Sequence, residues 1–299
     1  VTAKTSHLKN TRPRYHVTAR DFTLSLGEKT AVMGIVNVTP DSFSGDGVAN
    51  HTNAFRLALQ HIKNGADIID IGGESSRPGA TVVTATEEIQ RTIPLIKKLA
   101  KVVKVPISVD TYKGLTAQHA LDAGASIINN IQGINAQKSL LKMTARYGAA
   151  IIVMHMRGTP RTMQQKTHYQ NLIAEMITDL KIAVENCLEM GIKSDNIILD
   201  PGIGFAKTAQ HNLEIINRLA EFKVLQQPIL IGTSRKSFIS KILNTDVKEN
   251  LTPGTIASCV LSIANGAHLI RVHDVAPAVQ AARISDAILN RTINNNPSS

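Results

Sequence analysis

Eight short apolar runs punctuate this chain, each rich in Val and Ile and each ending on, or followed at once by, a polar residue or a glycine: 31–38, 67–73, 105–110, 125–130, 149–155, 196–200, 228–232 and 267–272. Helix-like segments lie between most of them, at 52–64, 86–101, 113–123, 139–147, 171–190 and 211–221, with stop signals at Gly65, Gly124, Gly148, Gly191 and Gly266. Runs this short and this apolar read as strands covered on both faces, and strand–helix alternation demands a parallel sheet. Eight such units in roughly 250 residues is the size of a closed barrel. A doubly wound open sheet would place a glycine-rich nucleotide turn after its first strand; that position reads Asn37-Val38-Thr39-Pro40-Asp41-Ser42-Phe43-Ser44. The expected fold is therefore α/β, a single (β/α)8 TIM barrel spanning 30–290.

The 299 residues slightly exceed a minimal barrel. The surplus at 15–30, around Ser25-Leu26-Gly27-Glu28, reads as an N-terminal β-hairpin closing the barrel bottom, with residues 1–29 as tail plus hairpin. The polar end 291–299 reads as a disordered tail. A net charge of +10 raises a nucleic-acid reading, but the basic residues are dispersed and aromatics make up 3%, so stacking platforms are lacking. Lys97, Lys98 and Lys101 read as the wet face of a helix whose other face carries Ile93, Ile96 and Leu99. A basic cleft suits small anions such as phosphates better. Cys187 and Cys259 fall in helices without metal or redox spacing and read as buried apolar groups. No run reaches the roughly 18 residues of a membrane span, so neither membrane nor nucleic acid is an expected partner, and a cytoplasmic location is the simplest expectation.

In such barrels chemistry gathers at the C-terminal strand ends. Asn37, Glu74, Asp110, Asn129, His155, Asp200, Ser234, Arg271 and His273 all lie at or just past such ends. Asp110 and Asp200, with Asn129 between them in chain order, match a ligand offering ring N–H and amine donors; an acid/base pair for glycoside cleavage is the alternative use. Asp200 taken alone reads equally well as a turn or cap residue. Arg77, Lys236, Arg271 and His273 form an anion set, while Arg235 in isolation reads as a surface ion-pair member. Loops 39–47 and 73–84 are long enough to act as lids. Asn37 can offer a neutral oxygen to Mg2+, and His51, His61, His168 and His211 form no ligand spacing.

Taken in order, Met33-Gly34-Ile35-Val36-Asn37-Val38-Thr39-Pro40-Asp41-Ser42-Phe43-Ser44, Asp70-Ile71-Gly72-Gly73-Glu74-Ser75-Ser76-Arg77-Pro78-Gly79, Ser108-Val109-Asp110-Thr111, Ile127-Ile128-Asn129, Met154-His155-Met156, Leu199-Asp200-Pro201-Gly202-Ile203-Gly204-Phe205, Ser234-Arg235-Lys236-Ser237 and Arg271-Val272-His273-Asp274-Val275 resemble the dihydropteroate synthase family. The resemblance covers about residues 30 to 287. It implies condensation of 6-hydroxymethyl-7,8-dihydropterin pyrophosphate with p-aminobenzoate, releasing pyrophosphate by an SN1-like, Mg2+-assisted course. It further implies pterin contacts at Asp110, Asn129, Met154, Asp200 and Lys236, and pyrophosphate contacts at Asn37, Arg77, Arg271 and His273, with Mg2+ at Asn37. For p-aminobenzoate and its sulfonamide mimics it implies Phe43, Ser76, Pro78, Phe205, Lys236 and Ser237. Lys236, Asp110, Asp200, Arg271 and His273 become the catalytic set, in a homodimer.

Three positions depart from the family pattern. Ser76 and Asn130 stand where Thr and Asp are usual, and Ser44-Gly45-Asp46-Gly47 replaces Ser-Asp-Gly-Gly. Ser76 keeps a hydroxyl and loses a methyl contact; Asn130 is expected to remove a charge beside the pterin. Two rival readings are a methyltetrahydrofolate-binding methyltransferase, which has no need of the Arg77, Lys236 and Arg271 set, and a non-catalytic pterin-binding protein, in which Lys236, Arg271 and His273 would be dispensable.

Overall fold

Residues 10–38, 47–76, 79–245 and 247–291 are described by the structure, a computed structural model. A hairpin of β1 (Tyr15–Ala19) and β2 (Phe22–Leu26) precedes eight parallel strands: β3 (Ala31–Asn37), β4 (Ile68–Gly72), β5 (Ile107–Asp110), β6 (Ile127–Asn130), β7 (Ala150–Met154), β8 (Ile197–Asp200), β9 (Leu230–Ile231) and β10 (Leu269–Val272). Helices α1 (Gly47–Lys63), α2 (Ala85–Ala100), α3 (Gly114–Asp122), α4 (Lys138–Arg146), α5 (Leu172–Glu189) and α6 (Ala209–Asn217) follow β3 to β8 in turn; α7 (Ser237–Leu243) and α8 (Thr252–Ala264) follow β9, and α9 (Val275–Asn290) follows β10. Each barrel strand pairs with its neighbours in chain order, and β10 returns to β3. The ring closes between β8 and β9, where the Leu199 N–H donates to the Pro228 carbonyl at 2.9 Å.

The five glycines read as helix stops all take positive φ, from 60° at Gly148 to 113° at Gly266, so each releases its helix into the next strand at little steric cost. Polar caps start three helices: Thr84 and Thr208 accept from Glu87 and His211 through Oγ1, and Asn171 accepts from Ala174 through Oδ1. The helix read at 211–221 breaks into α6 and a tighter segment, Leu219–Leu225. The strand read at 228–232 shortens to two residues: Pro228 has no N–H for a ladder, and the Ile229 N–H donates to His268 Nδ1 at 3.1 Å.

Residues alternate along every strand between two environments. Val32, Ile69, Ile71, Ile128, Val153 and Leu199 join the apolar faces of the helices, including Ile96 and Leu99 of α2. Lys97, Lys98 and Lys101 are exposed on the opposite face of that helix. Val17, Ala19 and Leu26 of the hairpin instead cover Met33, Ile68, Ile127, Ile152, Ile198 and Leu269 inside the barrel. The hairpin thus closes the bottom, as expected. Its tight turn falls at Arg20-Asp21, however, and Ser25-Leu26 belong to β2. Tertiary bonds fix that turn in place of a glycine: Arg20 (φ 58°) donates its N–H to the Gly148 carbonyl and its guanidinium to the Leu121 and Ala125 carbonyls.

Cys187 and Cys259 are buried in α5 and α8, where burial pushes their thiols up to about 12 and about 11. No helix among the described residues is long and apolar enough to cross a membrane.

Candidate active site

The inward face of the strands changes character halfway up. Two residues beyond the apolar plug, the same face presents Asp70, Asn129, Met154, Asp200 and Arg271. Asn37 and Asp110 complete this layer, since Asn37 pairs with Gly72, Gly72 with Asp110, and Asp110 with Asn129. A strand period of two thus lifts a polar ring on top of an apolar floor.

Arg271 ties the ring together. Its Nε donates to Asp70 Oδ2 at 2.6 Å and its Nη2 to Asp110 Oδ2 at 2.8 Å, while Asn129 Nδ2 donates to the same Asp70 oxygen at 3.1 Å. Asp70 is fully buried, and its Oδ1 has no hydrogen-bond partner among the described residues. Burial pushes the Asp110 carboxyl up to about 7; Arg271 opposes the rise and Asp70 reinforces it. Burial works against the Arg271 charge as well, but Asp70 and Asp110 more than restore it.

Asp70 was missed as a site residue because it sits inside the apolar run 67–73 rather than at its end. The available signal was its match with Arg271, another charge embedded in a strand.

Asp200 is a turn residue that also belongs to the polar ring. Its Oδ1 accepts from the Gly202 N–H at 2.7 Å, and burial raises its carboxyl above the ordinary range despite that bond and the nearby charge of Lys236. Gly202 has φ 72°, and a Cβ there would lie 2.1 Å from the His155 carbonyl oxygen. Gly202→Ala is expected to destabilise the fold by about 3 kcal/mol, measured by urea denaturation, because both strain and a backbone clash must relax.

Beyond that turn, the Phe205 ring lies under the Lys236 ammonium, with Nζ 4.2 Å from the ring centroid. Gly204 makes room, since a Cβ there would meet Lys236 Cδ at 3.1 Å. Phe205, Met154, Met156, Met163 and Ile131 form an apolar wall beside the polar ring. Ser237 opens α7 next to Lys236 and is exposed. His273 sits at the mouth: Ser234 Oγ accepts from the His273 N–H at 3.1 Å and lies 2.9 Å from His273 Nδ1. With the hydroxyl proton given to Nδ1, the ring proton is on Nε2. Arg235 pairs with Asp274 at 2.8 Å, the ion-pair role read from sequence.

Past β4, Glu74 accepts from the Tyr112 hydroxyl at 3.0 Å and pairs with Lys113, which also reaches Glu88 at 3.0 Å. These bonds staple the second loop to the loop after β5. Ser76 is half-buried at its start. Phe43, Arg77 and Pro78, and residues 39–46 of the expected lid 39–47, lie outside the described residues.

Asn130 differs from expectation. It pairs in register with Val153, on the outward face, is fully buried, and its Oδ1 accepts from the Gln132 N–H at 2.9 Å. Strand alternation therefore carries it away from the polar ring that holds Asn129.

No group of three or more His, Cys, Asp or Glu among the described residues could hold a metal. Asn37 remains as a single neutral oxygen, with Oδ1 3.2 Å from where a Cβ on Gly72 would be. A donor set of that kind fits Mg2+ that keeps several waters and leans on phosphate oxygens.

A family model described as "Pterin binding enzyme" matches residues 33–273, from β3 to just past β10. Dihydropteroate synthase from Synechocystis is 46% identical over 263 residues, covering 88% of this chain and 91% of that protein. The chain belongs to the dihydropteroate synthase family. Yersinia pestis dihydropteroate synthase, solved with a sulfonamide drug complex, superposes with a TM-score of 0.86 at 39% identity, over 91% of this chain and 98% of that one. The Thermus thermophilus synthase, solved with 4-aminobenzoate, gives 0.81 at 32% identity over 91% and 99%. The synthase match spans the whole barrel, so the polar ring and its loops lie within the shared architecture.

Proposed function

We propose that this chain joins 6-hydroxymethyl-7,8-dihydropterin pyrophosphate to p-aminobenzoate, yielding 7,8-dihydropteroate and pyrophosphate. The observation that carries the reading is the ring of Asp110, Asn129, Asp200 and Arg271 above an apolar floor, in a chain of this family. A flat pterin presents N–H donors on its edge and apolar faces. Asp110, Asn129 and Asp200 take the edge, and Met154 packs on a face.

Arg271, oriented by Asp70 and Asp110, keeps its Nη1 outside both bonds and directs it to the pyrophosphate, with His273 Nε2 and Arg77 as further donors. Mg2+, held through Asn37 and the phosphates, would supply further charge stabilisation to the leaving group. As the C–O bond lengthens in the SN1-like course, positive charge grows on the pterin methylene, and the carboxylates of Asp110 and Asp200 offset it. Phe205 and Ser237, with Phe43, Ser76 and Pro78, shape the p-aminobenzoate pocket that sulfonamides would share. Lys236 spans both sites: it lies over Phe205 and within the field of Asp110 and Asp200. No protein nucleophile is required.

Steady-state assay with both substrates and Mg2+ tests the reading. Expected are equal amounts of pyrophosphate and dihydropteroate, with a sulfonamide raising the apparent KM for p-aminobenzoate at constant maximal rate. Absence of product from folded protein refutes it.

A pH dependence follows from Asp110. The pterin edge needs the ionised carboxylate, whereas the free protein holds that carboxyl up at about 7. Pterin affinity is therefore expected to fall roughly tenfold per pH unit below 7, measured by calorimetric titration from pH 8 to 5.5. An Asp110→Asn chain should bind weakly at every pH.

A homodimer through the outer helices is supported by Leu261 on α8 and Ile284 and Ile288 on α9, which are exposed on two helices packed together. Light scattering at twice the chain mass is the expected result.

A further inference from the structure

Lys207 has no task in the chemistry above, yet its side chain is among the most deeply buried cations described. It is 4% exposed, and its Nζ meets three acceptors: the Phe205 carbonyl at 2.9 Å, His155 Nδ1 at 3.0 Å and the His155 carbonyl at 3.4 Å. His155 opens the loop after β7, and Phe205 lies in the loop after β8. One ammonium with three N–H donors thus bridges the two loops that carry Met156, Met163 and Phe205 of the apolar wall.

The chain of contacts continues outward. His155 Nε2 lies 3.1 Å from Asp179 Oδ2 on α5, and Arg157 donates to that same oxygen through Nε at 3.2 Å and Nη2 at 3.1 Å. With Lys207 donating to Nδ1, the His155 ring proton is on Nε2, facing the Asp179 carboxylate. Burial holds the imidazole down at about 4, so it stays a neutral acceptor across the physiological range.

We infer that Lys207 is a positioning residue for the p-aminobenzoate pocket: its ammonium fixes the Phe205 backbone, and through it the ring beneath Lys236, so that losing this cation loosens the second-substrate site while sparing the pterin site. The inference rests on the synthase reading. Three donors match three acceptors only in the charged form; a neutral amine leaves one buried carbonyl or ring nitrogen without a donor. Burial pulls the Lys207 ammonium down to about 7. Arg157, from the loop after β7, and Lys236, from the turn before α7, add to the pull; Asp200 at the end of β8 and Asp179 on α5 oppose it. A polar cleft of about 220 Å³ lined by Gln164, Thr167, Thr208, Asn212, Ser237 and Lys241 borders Lys207 and gives its proton a route to water. The lock accordingly opens as pH rises through 7, the opposite direction from the Asp110 effect on pterin.

The test compares wild type with Lys207→Met at saturating pterin pyrophosphate. The variant is expected to raise the KM for p-aminobenzoate about tenfold, leave kcat within about threefold, and leave calorimetric pterin affinity within about twofold. Wild-type kcat/KM for p-aminobenzoate should fall between pH 7 and 9, and this alkaline limb should be missing from the variant. A 4-fluorophenylalanine label at position 205, in an Asp110→Asn background that removes the other group titrating near 7, gives a reading independent of turnover: its resonance should titrate near pH 7 in the ligand-free chain and not once Lys207→Met is added. Should the variant fail to fold, the wild-type limb and the resonance with Lys207 intact decide. Equal losses of pterin and p-aminobenzoate binding, an unchanged KM, or a resonance that does not move with pH would each overturn the inference. An inactive wild type with a titrating resonance would sink the synthase reading and leave the tether standing.

Discussion

Arg271→Met should abolish useful turnover, by roughly 10³-fold, and also lower stability by about 3–5 kcal/mol. Its guanidinium compensates two carboxylates at once, and one of them, Asp70, is completely buried. With the cation gone, that layer holds buried negative charge opposed, among the described residues, by Asn129 alone within hydrogen-bond distance of Asp70. The sign of the pH effect follows. Asp110 already has a folded pKa above its unfolded value, and removing Arg271 raises it further, so the protonated fold is favoured. The stability lost by the variant should therefore be largest above pH 7 and partly return as the pH falls toward 5, as measured by calorimetric melting. Because Arg271 also orients Asp110, both pterin and pyrophosphate binding should weaken. A variant that melts within about 1 kcal/mol of wild type at pH 8 would show that Arg271 does not hold this layer together.

Asp200→Asn should behave differently, losing ligand and keeping the fold. The amide oxygen can still accept from Gly202, so the turn survives. The amide nitrogen then points a donor at ring N–H groups, leaving donor against donor in a buried site. The expected cost is about 3 kcal/mol, a loss of pterin affinity on the order of 10²-fold by calorimetric titration. Stability should hold or rise, because burial already disfavours the ionised Asp200 in the empty protein. A pterin affinity within about threefold of wild type would remove Asp200 from the proposed contacts.

The architecture was legible because the signals that produce it are local. Each apolar run had to become a strand buried on both faces, and glycines at positive φ had to end the helices. The polar ring of the candidate site was legible wherever a polar residue stood at the end of such a run, as with Asp110, Asn129 and Asp200. It was illegible where the decisive fact was a partner far along the chain. Asp70 looks like an interruption in Ile68-Ile69-Asp70-Ile71 until Arg271 is seen beside it, 201 residues away. Lys207 looks like a surface residue in a loop until β7 and β8 bring His155 against it, 52 residues away. Asn130 shows the reverse error: adjacency to Asn129 in sequence suggested a shared site, and strand alternation turned the two side chains to opposite faces. The hairpin turn at Arg20 likewise depends on the carbonyls of three distant residues, Leu121, Ala125 and Gly148, rather than on a local turn residue.

The central claim is that the polar ring at the C-terminal strand ends is the pterin site and that Phe205 borders the second substrate. A crystal structure of this chain with dihydropterin pyrophosphate, p-aminobenzoate and Mg2+ tests it most directly. The pterin N–H edge should lie within hydrogen-bond distance of Asp110, Asn129 and Asp200, the phosphates at Arg271 and His273, and the aniline ring against Phe205 and Ser237. A pterin bound elsewhere, with Arg271 still closed on Asp70 and Asp110 and no ligand above them, would contradict the account.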